Sequence, residues 1–368
     1  MKIGVPTEIK SMEYRVGLTP DSVAELTSRN HEVYVQAGAG EGAGLQDTDY
    51  LAAGASLLSS AEEVFETADI IVKVKEPQLN ECAMLKEHHT LYTYLHLAAD
   101  KPQAEALCAS GCLAIAYETV TSPYGGLPLL QPMSEVAGRM SVQVGAASLL
   151  KSGGGAGRLL GGVPGVAPAS VVILGGGVAG ENALQMAIGA RADVTIFERS
   201  LPRIAELDRV YGDRCKVVYS TKAAVEKAVF EADLVVGAVL IPGDAAPKLV
   251  TRDMLPKMKN GSVMVDISID QGGCFETSKP TTHSDPTYEI DGVVHYCVAN
   301  MPGGVPLTST YALNNATLPH LLRLADMTPT AALAADEHLR GGVNVWNGQI
   351  THEAVAKALD MPFVPYTS

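Results

Sequence analysis

Five side chains that can bind anions or transfer protons stand just beyond the ends of predicted strands. They are Arg15, Lys75, His96, Glu118 and Asp270. Ligands of open α/β sheets bind beyond the carboxyl ends of the strands, so we expect these groups near the edge of one cleft. Arginine suits bidentate recognition of a carboxylate, and an imidazole exchanges protons near neutral pH. The set predicts acid–base chemistry on a bound carboxylate.

Each of these residues also has an ordinary structural explanation. A lysine at a strand end is usually solvated, and Arg15 can be a surface charge. A single histidine in an apolar run, such as His96, is usually a satisfied core residue, and Asp270 can cap a turn. Glu118 can simply end its strand, and we give it a supporting role. The joint placement favours function, because burying five such groups without use would cost desolvation each time.

A glycine motif predicts a turn that binds a dinucleotide. The letters GGGVAG at residues 175–180 follow the apolar run 171–174 and precede a helix-like segment. A second apolar run, 194–197, then ends in Glu198. This order of strand, G-x-G-x-x-G, helix, strand and acid is that of a dinucleotide-binding βαβ unit.

Each glycine of the motif has a separate physical task. Gly175 allows the tight turn, Gly177 lets backbone N–H groups approach a pyrophosphate, and Gly180 lets the helix pack close to the strand. Glu198 lies roughly the expected 20 residues further on, where a carboxylate binds the ribose hydroxyls. It would repel a 2′-phosphate, which favours NAD over NADP, although Arg199 beside it can accommodate that phosphate.

Composition narrows the class of protein further. The 368 residues suggest two domains, and 47% hydrophobic content is ample for buried cores. Acidic residues outnumber basic ones, 41 to 27, and the net charge of −14 argues against nucleic acid and anionic membranes as partners. The six scattered cysteines form no C-x-x-C pair, so nothing predicts a metal site. With no long apolar run and no signal peptide, we expect a cytoplasmic protein.

Alternating apolar runs and helical segments predict two doubly wound, Rossmann-like α/β domains with parallel sheets. The predicted strands are residues 3–6, 32–36, 70–74, 91–95, 113–117, 171–174, 194–197, 216–219, 234–236, 263–267 and 293–298. We expect a substrate domain of residues 1–130 plus 305–368 and a nucleotide domain of residues 131–304.

Two connecting regions complete this organisation. Residues 134–150 have helical periodicity, with Ser134 as the expected N-cap, and they form a linker helix inside the nucleotide domain. The tail beyond residue 309 has little strand character. We expect it to form helices near 312–325 and 352–358 that return to the first domain.

The chain resembles the bacterial L-alanine dehydrogenase family over essentially its whole length. The matching stretches are MKIGVPTEIK with EYRVGLTP, DIIVKVKEP, LYTYLHLA, QPMSEVAGRM, GGVPGVAPASVVILGGGVAG, VDISIDQGGCFETSKPTTHSDP and VANMPGGVPLTSTYALNNAT. EYRVGLTP is shared with the NAD-binding subunits of proton-translocating transhydrogenases, whereas LYTYLHLA and VDISIDQGGC narrow the resemblance to alanine dehydrogenases.

The resemblance implies the reversible conversion of L-alanine, NAD and water to pyruvate, ammonium and NADH. It implies that Arg15 and Lys75 hold the substrate carboxylate and carbonyl, that Met133 lines the pocket, and that His96 and Asp270 form the acid–base pair. It also implies a homo-oligomer, in this family a hexamer.

The residues implied in cofactor binding come from both the motif and the resemblance. They are Ser134, Gly175, Gly177, Val178, Ala179, Gly180, Glu198, Arg203, Ser220, Val239, Leu240, Ile267, Asp270, Val298, Asn300 and Met301. The family usually carries Asp where this chain has Glu198.

Two other functions fit part of the pattern. A transhydrogenase NAD-binding subunit would bind the same nucleotide but would need no acid–base pair, so His96 and Asp270 argue against it. A non-enzymatic NAD sensor would explain the glycine motif and leave Arg15, Lys75 and His96 without a role.

Overall fold

The computed structural model describes residues 1–239 and 246–367. The chain divides into two compact units, one formed by Met1–Met133 with Val305–Ser368 and the other by Ser134–Gly304. Each unit contains its own sheet.

The strands of the described residues follow in chain order. They are β1 (Lys2–Val5), β2 (Glu32–Gln36), β3 (Ser56–Leu58), β4 (Ile70–Val72), β5 (Thr90–Thr93), β6 (Leu113–Ala116), β7 (Ser170–Leu174), β8 (Asp193–Glu198), β9 (Lys216–Tyr219), β10 (Leu234–Gly237), β11 (Val263–Asp266), β12 (Thr287–Ile290), β13 (Val293–Tyr296), β14 (Val343–Trp346) and β15 (Gln349–Ile350).

As far as β10, α-helices alternate with these strands. They are α1 (Pro20–Ser28), α2 (Asp47–Ala52), α3 (Ala61–Thr67), α4 (Leu79–Cys82), α5 (Lys101–Ser110), α6 (Gln131–Ser148), α7 (Val178–Gly189), α8 (Leu201–Tyr211), α9 (Lys222–Glu231), α10 (Pro306–Met327), α11 (Pro329–Ala335), α12 (Glu337–Arg340) and α13 (Glu353–Leu359).

The sheet of the first unit has the strand order β15-β14-β6-β5-β4-β1-β2-β3. Strands β1 to β6 pair in parallel, and β14 and β15 add an antiparallel edge. Strand β1 lies between β2 and β4, so the winding of the chain reverses between β1 and β4. In open α/β sheets this switch point is where ligands bind, beyond the carboxyl ends of the strands.

The sheet of the second unit repeats this plan in the order β12-β13-β11-β10-β7-β8-β9. Every pair is parallel except β12 with β13, and the switch point lies between β7 and β10. The predicted fold class, two Rossmann-like α/β units with the C-terminal helices in the first, is confirmed.

The central strands are short runs of buried apolar residues, as parallel sheets covered on both faces require. In the first unit Val64, Leu91 and Val345 belong to one apolar core. In the second unit Val235 and Met264 belong to another. These cores hold the sheets rigid, so that the loops at the strand ends can carry the polar groups.

The prediction of little strand character in the tail is wrong. Strands β14 and β15 form a hairpin across Asn347-Gly348, where both residues have positive φ, +50° and +77°. Strand β12, which the sequence analysis also missed, joins β13 through Asp291-Gly292 in the same way, with φ of +50° and +79°. Asn-Gly and Asp-Gly suit these two-residue turns because both central positions need positive φ. The short β3 was missed as well.

The prediction of Ser134 as a helix cap is also wrong. Helix α6 begins at Gln131, so Ser134 lies inside its first turn. Pro132 explains the earlier start, because proline is tolerated in the first turn of a helix, where its missing N–H leaves no bond unmade.

Among residues 1–239 and 246–367, no helix is both long and apolar enough to cross a bilayer.

Candidate active site

The loop that follows β1 carries Arg15, which is 2% exposed. Its Nε donates to Glu13 Oε1 at 2.6 Å and its Nη2 to Glu13 Oε2 at 2.5 Å, while Nη1 lies 3.0 Å from the sulfur of Met133. Burial works to lower the pKa of Arg15, but the hydrogen bonds and charge of Glu13 raise it overall. Glu13 therefore keeps a buried guanidinium charged and fixes the direction of its fork.

Lys75 follows β4, the neighbour of β1 at the switch point. The strand was predicted to run to residue 74, but it ends at Val72. The half-buried Lys75 donates its backbone N–H to Glu8 Oε2 at 3.4 Å, and its carbonyl accepts a hydrogen bond from the Thr93 hydroxyl at 3.0 Å. Both ends of this residue's backbone are thus tied to neighbouring segments.

His96 follows β5 in the left-handed region, with φ of +49° and ψ of +33°. Its backbone N–H donates to Glu118 Oε1 at 2.6 Å, and the N–H of Leu95 donates to both oxygens of that carboxylate at 3.2 Å. A residue other than glycine is uncommon in this conformation. Glu118, just beyond β6, stabilises this backbone conformation and so fixes the position from which the exposed imidazole of His96 extends.

Tyr94, the residue after β5, interacts with both His96 and Arg15 in the first unit. Its ring stacks on that of His96, with centroids 5.7 Å apart and planes 11° from parallel. Burial raises the pKa of Tyr94, and the nearby charge of Arg15 opposes that rise. Its hydroxyl donates to the carbonyl of Leu129 at 2.5 Å. Tyr94 thus stacks on His96 and lies within electrostatic reach of Arg15, which in turn contacts Met133.

A buried ion cluster that was not predicted from the sequence lies beside these residues. Lys73 is fully buried, and its ammonium lies 2.8 Å from Glu81 Oε1 and 3.1 Å from Glu8 Oε2. Burial works to lower the pKa of Lys73, but the two carboxylates raise it overall. The only indication in the sequence is a lysine inside the apolar run DIIVKV, where a buried position needs an acidic partner.

In the second unit the glycine turn follows β7 at the switch point. Gly175 has φ of +103°. A Cβ on Gly180 would lie 1.8 Å from the Gly175 carbonyl oxygen, whereas one on Gly177 would meet nothing within 4 Å. Helix α7 begins at Val178, so the first N–H groups of the helix face the open space beside Gly177. This shape fits the phosphates of a dinucleotide.

Glu198 ends β8 beside this turn. Its Oε2 accepts the N–H of Gly176 at 2.8 Å, and its Oε1 accepts the N–H groups of Arg199 and Ser200 at 2.6 and 2.9 Å. Helix α8 begins one residue later, at Leu201. The carboxylate is therefore held by backbone donors of both the glycine turn and a helix N-terminus, which suits a residue that binds ribose hydroxyls.

Arg203 supports the glycine turn from the side of α8. Its Nε donates to the Gly176 carbonyl at 2.8 Å, and its other nitrogens pair with Glu181 and, at 2.6 Å, with Glu206. Burial works to lower the pKa of Arg203, but these carboxylates raise it overall. Tyr211 donates its hydroxyl to Glu181 at 2.7 Å. The arrangement braces the turn and neutralises an acid in the first turn of α7.

Asp270 and Ile267 lie in a 3₁₀ turn, Ile267–Gln271, because β11 ends at Asp266 rather than at residue 267. Asp270 is exposed, and its Oδ1 accepts the backbone N–H of Asn300 at 3.4 Å. Asn300 has φ of +56°. The structure thus joins two predicted cofactor residues that are 30 positions apart.

The fully buried Asp266 anchors the loop that carries Asp270, and the sequence analysis missed it. It accepts the N–H groups of Ser268 and Cys274 at 3.0 and 2.9 Å and the hydroxyl of Ser278 at 2.5 Å. Burial raises the pKa of Asp266, and these hydrogen bonds work against the rise.

Most of the other predicted residues that the structure describes follow strands of the second unit. Ser220 donates its N–H to the Glu198 carbonyl at 2.9 Å, and Val239 accepts the hydroxyl of Ser268 at 2.7 Å. Val298 and Met301 are buried. Ala179 is half-buried in the first turn of α7, and Leu240 lies outside the described residues.

Both units of the chain match models of a known protein family. Residues 4–137 match the family described as Alanine dehydrogenase/PNT, N-terminal domain, and residues 141–353 match Alanine dehydrogenase/PNT, C-terminal domain. The chain belongs to the alanine dehydrogenase family. The predicted resemblance to this family is confirmed. The prediction that the protein is a dehydrogenase, and therefore an oxidoreductase, is confirmed as well.

Several members of the alanine dehydrogenase family match the chain from end to end. The alanine dehydrogenase of Halomonas elongata is 59% identical over 368 residues, covering 100% of this chain and 99% of that protein. That of Mycolicibacterium smegmatis is 54% identical over 363 residues, covering 99% and 98%.

Solved structures agree with this membership. An L-alanine dehydrogenase matches with a TM-score of 0.95 and 50% identity, covering 98% of this chain and 99% of that one. A transhydrogenase from Sinorhizobium meliloti matches with a TM-score of 0.84 and 23% identity, covering 95% and 100%, and shares the fold.

Proposed function

We propose that the chain catalyses the reversible, NAD-dependent oxidative deamination of L-alanine to pyruvate and ammonium. The observation that carries the proposal is the arrangement, in the first unit, of a buried Arg15 against Met133 and an exposed His96 stacked on Tyr94, which lies within electrostatic reach of Arg15. Such an arrangement combines an anion-binding fork with an imidazole, a side chain that can both accept and donate a proton. Relatives named alanine dehydrogenase over the full chain support the substrate.

Arg15 and Lys75 bind the substrate. Glu13 engages Nε and Nη2 of Arg15, and the fork held in this way offers a fixed direction to a carboxylate. Lys75 binds the carboxylate and, in the reverse reaction, the carbonyl oxygen of pyruvate. A cation close to Cα would oppose the positive charge of the iminium that forms when hydride leaves, so the ammonium belongs on oxygen.

His96 and Asp270 supply acid–base catalysis. After hydride leaves Cα, water adds to the substrate iminium and His96 takes its proton, which gives a carbinolamine. His96 then returns that proton to the nitrogen, and as the C–N bond breaks and the hydroxyl proton is lost, ammonium and pyruvate form. Asp270 orients that water or stabilises the iminium charge. The methyl group of alanine needs only a small apolar pocket, for which Met133 and Leu130 are the candidates.

The second unit supplies the nucleotide site. NAD, when bound, accepts the hydride from Cα. The open space beside Gly177, the first turn of α7 and the carboxylate of Glu198 fit its pyrophosphate and ribose. Glu198 selects against a 2′-phosphate, while Arg199 leaves some use of NADP open. Assembly as a homo-oligomer stays a prediction.

The first experiment measures NADH formation from L-alanine and NAD, and NADH oxidation with pyruvate, each with and without ammonium, beside a series of other small amino acids and 2-oxo acids. We expect turnover in both directions and dependence of pyruvate reduction on ammonium. A chain that binds NADH but turns over none of these substrates would instead support the transhydrogenase-type or NAD-sensing alternatives.

A second experiment tests the substrate site through Arg15→Lys. We expect the KM of pyruvate to rise roughly tenfold or more, since a hydrogen bond between charged groups is worth about 1.5–3 kcal/mol. The control is Arg29→Lys, an exposed arginine paired with Glu25, which should leave KM unchanged. Equal pyruvate affinity in wild type and Arg15→Lys would contradict the carboxylate role.

A further inference from the structure

We propose that Glu8 is a positioning residue that fixes Lys75 relative to Arg15. The inference rests on the proposed function, in which those two cations bind the substrate. It goes beyond that function because Glu8 has no acid–base role and no direct role in substrate binding. Its role is to set the spacing of the two cations.

The contacts of Glu8 reach from the loop after β1 to the end of β4. Its Oε1 accepts the backbone N–H of Val74 at 2.6 Å, and its Oε2 accepts that of Lys75 at 3.4 Å. Oε2 also lies 3.1 Å from the ammonium of Lys73. Glu8 is only 8% exposed, and its carboxylate holds the backbone from which the side chain of Lys75 extends.

The same loop is attached to β4 at a second point. A Cβ on Gly17 would lie 2.6 Å from the carbonyl oxygen of Val72, so the two backbones are in direct contact there. Arg15 lies between the two attachments, and Glu13 sets the direction of its fork. Glu8 and Gly17 together thus tie the segment that carries Arg15 to the strand end that carries Lys75.

The ion pair with Lys73 explains why this link needs a carboxylate. A buried carboxylate that only accepted two N–H groups would bear most of its desolvation cost, and a buried cation beside it offsets that cost. Lys73 also pairs with Glu81. The other oxygen of Glu81 accepts the N–H of Gln78 at 2.8 Å, at the start of α4, so this second carboxylate serves a helix instead.

This difference provides a matched pair of variants, Glu8→Gln and Glu81→Gln. Each removes one negative charge from the same buried lysine. We expect Glu8→Gln to lower kcat/KM for pyruvate roughly 10- to 100-fold, the effect of a misplaced binding group, while the Kd of NADH changes by less than about twofold. Glu81→Gln should keep kcat/KM within about threefold of wild type, whatever its effect on Tm.

Equal losses of kcat/KM in the two variants would overturn the proposal, because they would show an effect transmitted through Lys73 alone. Unchanged kcat/KM in Glu8→Gln would overturn it as well. If Glu8→Gln does not fold, Glu8→Asp replaces it, since it keeps the charge but draws the carboxylate back from the two N–H groups. It should then show the same loss for pyruvate and the same unchanged Kd of NADH.

A double variant separates this inference from the proposed function. In a Lys75→Ala background, Glu8→Gln should change kcat/KM by less than about twofold, because there is no ammonium left to place. Multiplied losses would show that Glu8 acts elsewhere and would overturn the inference. If Lys75→Ala and Arg15→Lys both leave kcat/KM unchanged, the proposed substrate site itself fails.

Discussion

The two units hold their functional carboxylates in different ways. In the first unit Glu13 pairs with Arg15, and Glu8 pairs with Lys73. In the second unit Glu198 accepts three backbone N–H groups. In the first unit Glu13 and Glu8 therefore have buried cations as partners, with backbone N–H groups also donating to Glu8, whereas backbone donors hold Glu198 in the second unit.

The difference agrees with the ligand that we propose for each unit. A small amino acid offers a carboxylate that charged side chains can grip, and charges brought into a buried site need partners of opposite sign. A dinucleotide offers phosphates and hydroxyls that helix N-termini and turns bind through N–H groups. Variants of the first unit should therefore act mainly through lost charge or acid–base chemistry. Variants of the second unit should act through backbone shape or, at Glu198, through the charge that backbone groups hold in place.

The largest expected effect is that of His96→Ala in the first unit. Loss of the acid–base group should lower kcat roughly 10²- to 10⁴-fold, with the Kd of NADH little altered. Steady-state kinetics and NADH fluorescence measure the two quantities. The control is His88→Ala, an exposed histidine before the same strand. Near-wild-type turnover of His96→Ala would remove this residue from the mechanism and weaken the contrast between the units.

The next largest effect is expected from Gly180→Ala in the second unit. The added methyl would lie 1.8 Å from the Gly175 oxygen, so the glycine turn must open. We expect NADH affinity to fall about tenfold or more and the free energy of unfolding to fall by about 1–3 kcal/mol.

Gly189→Ala is the control for that variant, because its Cβ would meet nothing within 4 Å in the same helix. It should leave NADH affinity unchanged and not destabilise the chain. Equal NADH affinity in both variants would show that the nucleotide site does not depend on this close approach.

A smaller effect is expected for Glu198→Ala, which leaves three N–H groups facing the ribose site. The ratio of kcat/KM for NADP to that for NAD should rise roughly tenfold or more, since a carboxylate no longer repels the 2′-phosphate. Asp193→Ala, an exposed acid at the other end of the same strand, is the control. An unchanged ratio would show that another group selects the cofactor.

The smallest effect is expected from His89, a buried titratable residue of the first unit whose ring is hydrogen-bonded to backbone groups. Its Nδ1 accepts the N–H of Lys86 at 2.9 Å and its Nε2 lies 2.8 Å from the Phe65 carbonyl. Burial, with a smaller contribution from the charge of His88, lowers the pKa of His89 to about 4.

The unfolded chain, with a histidine pKa near 6.5, therefore binds more protons than the folded chain between about pH 6.5 and 4, so stability falls as the pH is lowered through that window. When the pH is lowered from 7 to 5, the unfolding free energy of wild type should fall by about 1–2 kcal/mol more than that of His89→Gln. Denaturant melts at both pH values measure this. The same pH dependence in wild type and variant would contradict a buried, neutral His89.

Prediction from sequence succeeded where a few adjacent residues decide the backbone. The glycine turn follows from Gly175 and Gly180 almost without help from the rest of the chain, and buried apolar runs located most strands. The missed hairpins also had a local signature, Asn347-Gly348 and Asp291-Gly292, which turn chemistry alone explains.

Other features of the site carried no usable local pattern. Lys73 and Glu8 are 65 positions apart, and Asn300 and Asp270 are 30 apart. Nothing near Asp266 in the sequence shows that its oxygens will be surrounded by the N–H groups of its own returning loop. Such contacts depend on which strands become neighbours, which hydrophobic burial decides.

The sequence by itself determined the two α/β units, the dinucleotide-type turn and the side chains available for chemistry, because strand patterning and glycine conformation are local properties of the chain. Only the tertiary structure decided which acid faces which base. Glu8 gains its partner through burial beside Lys73, 65 positions away along the chain, because burial makes an unpaired charge too costly to keep.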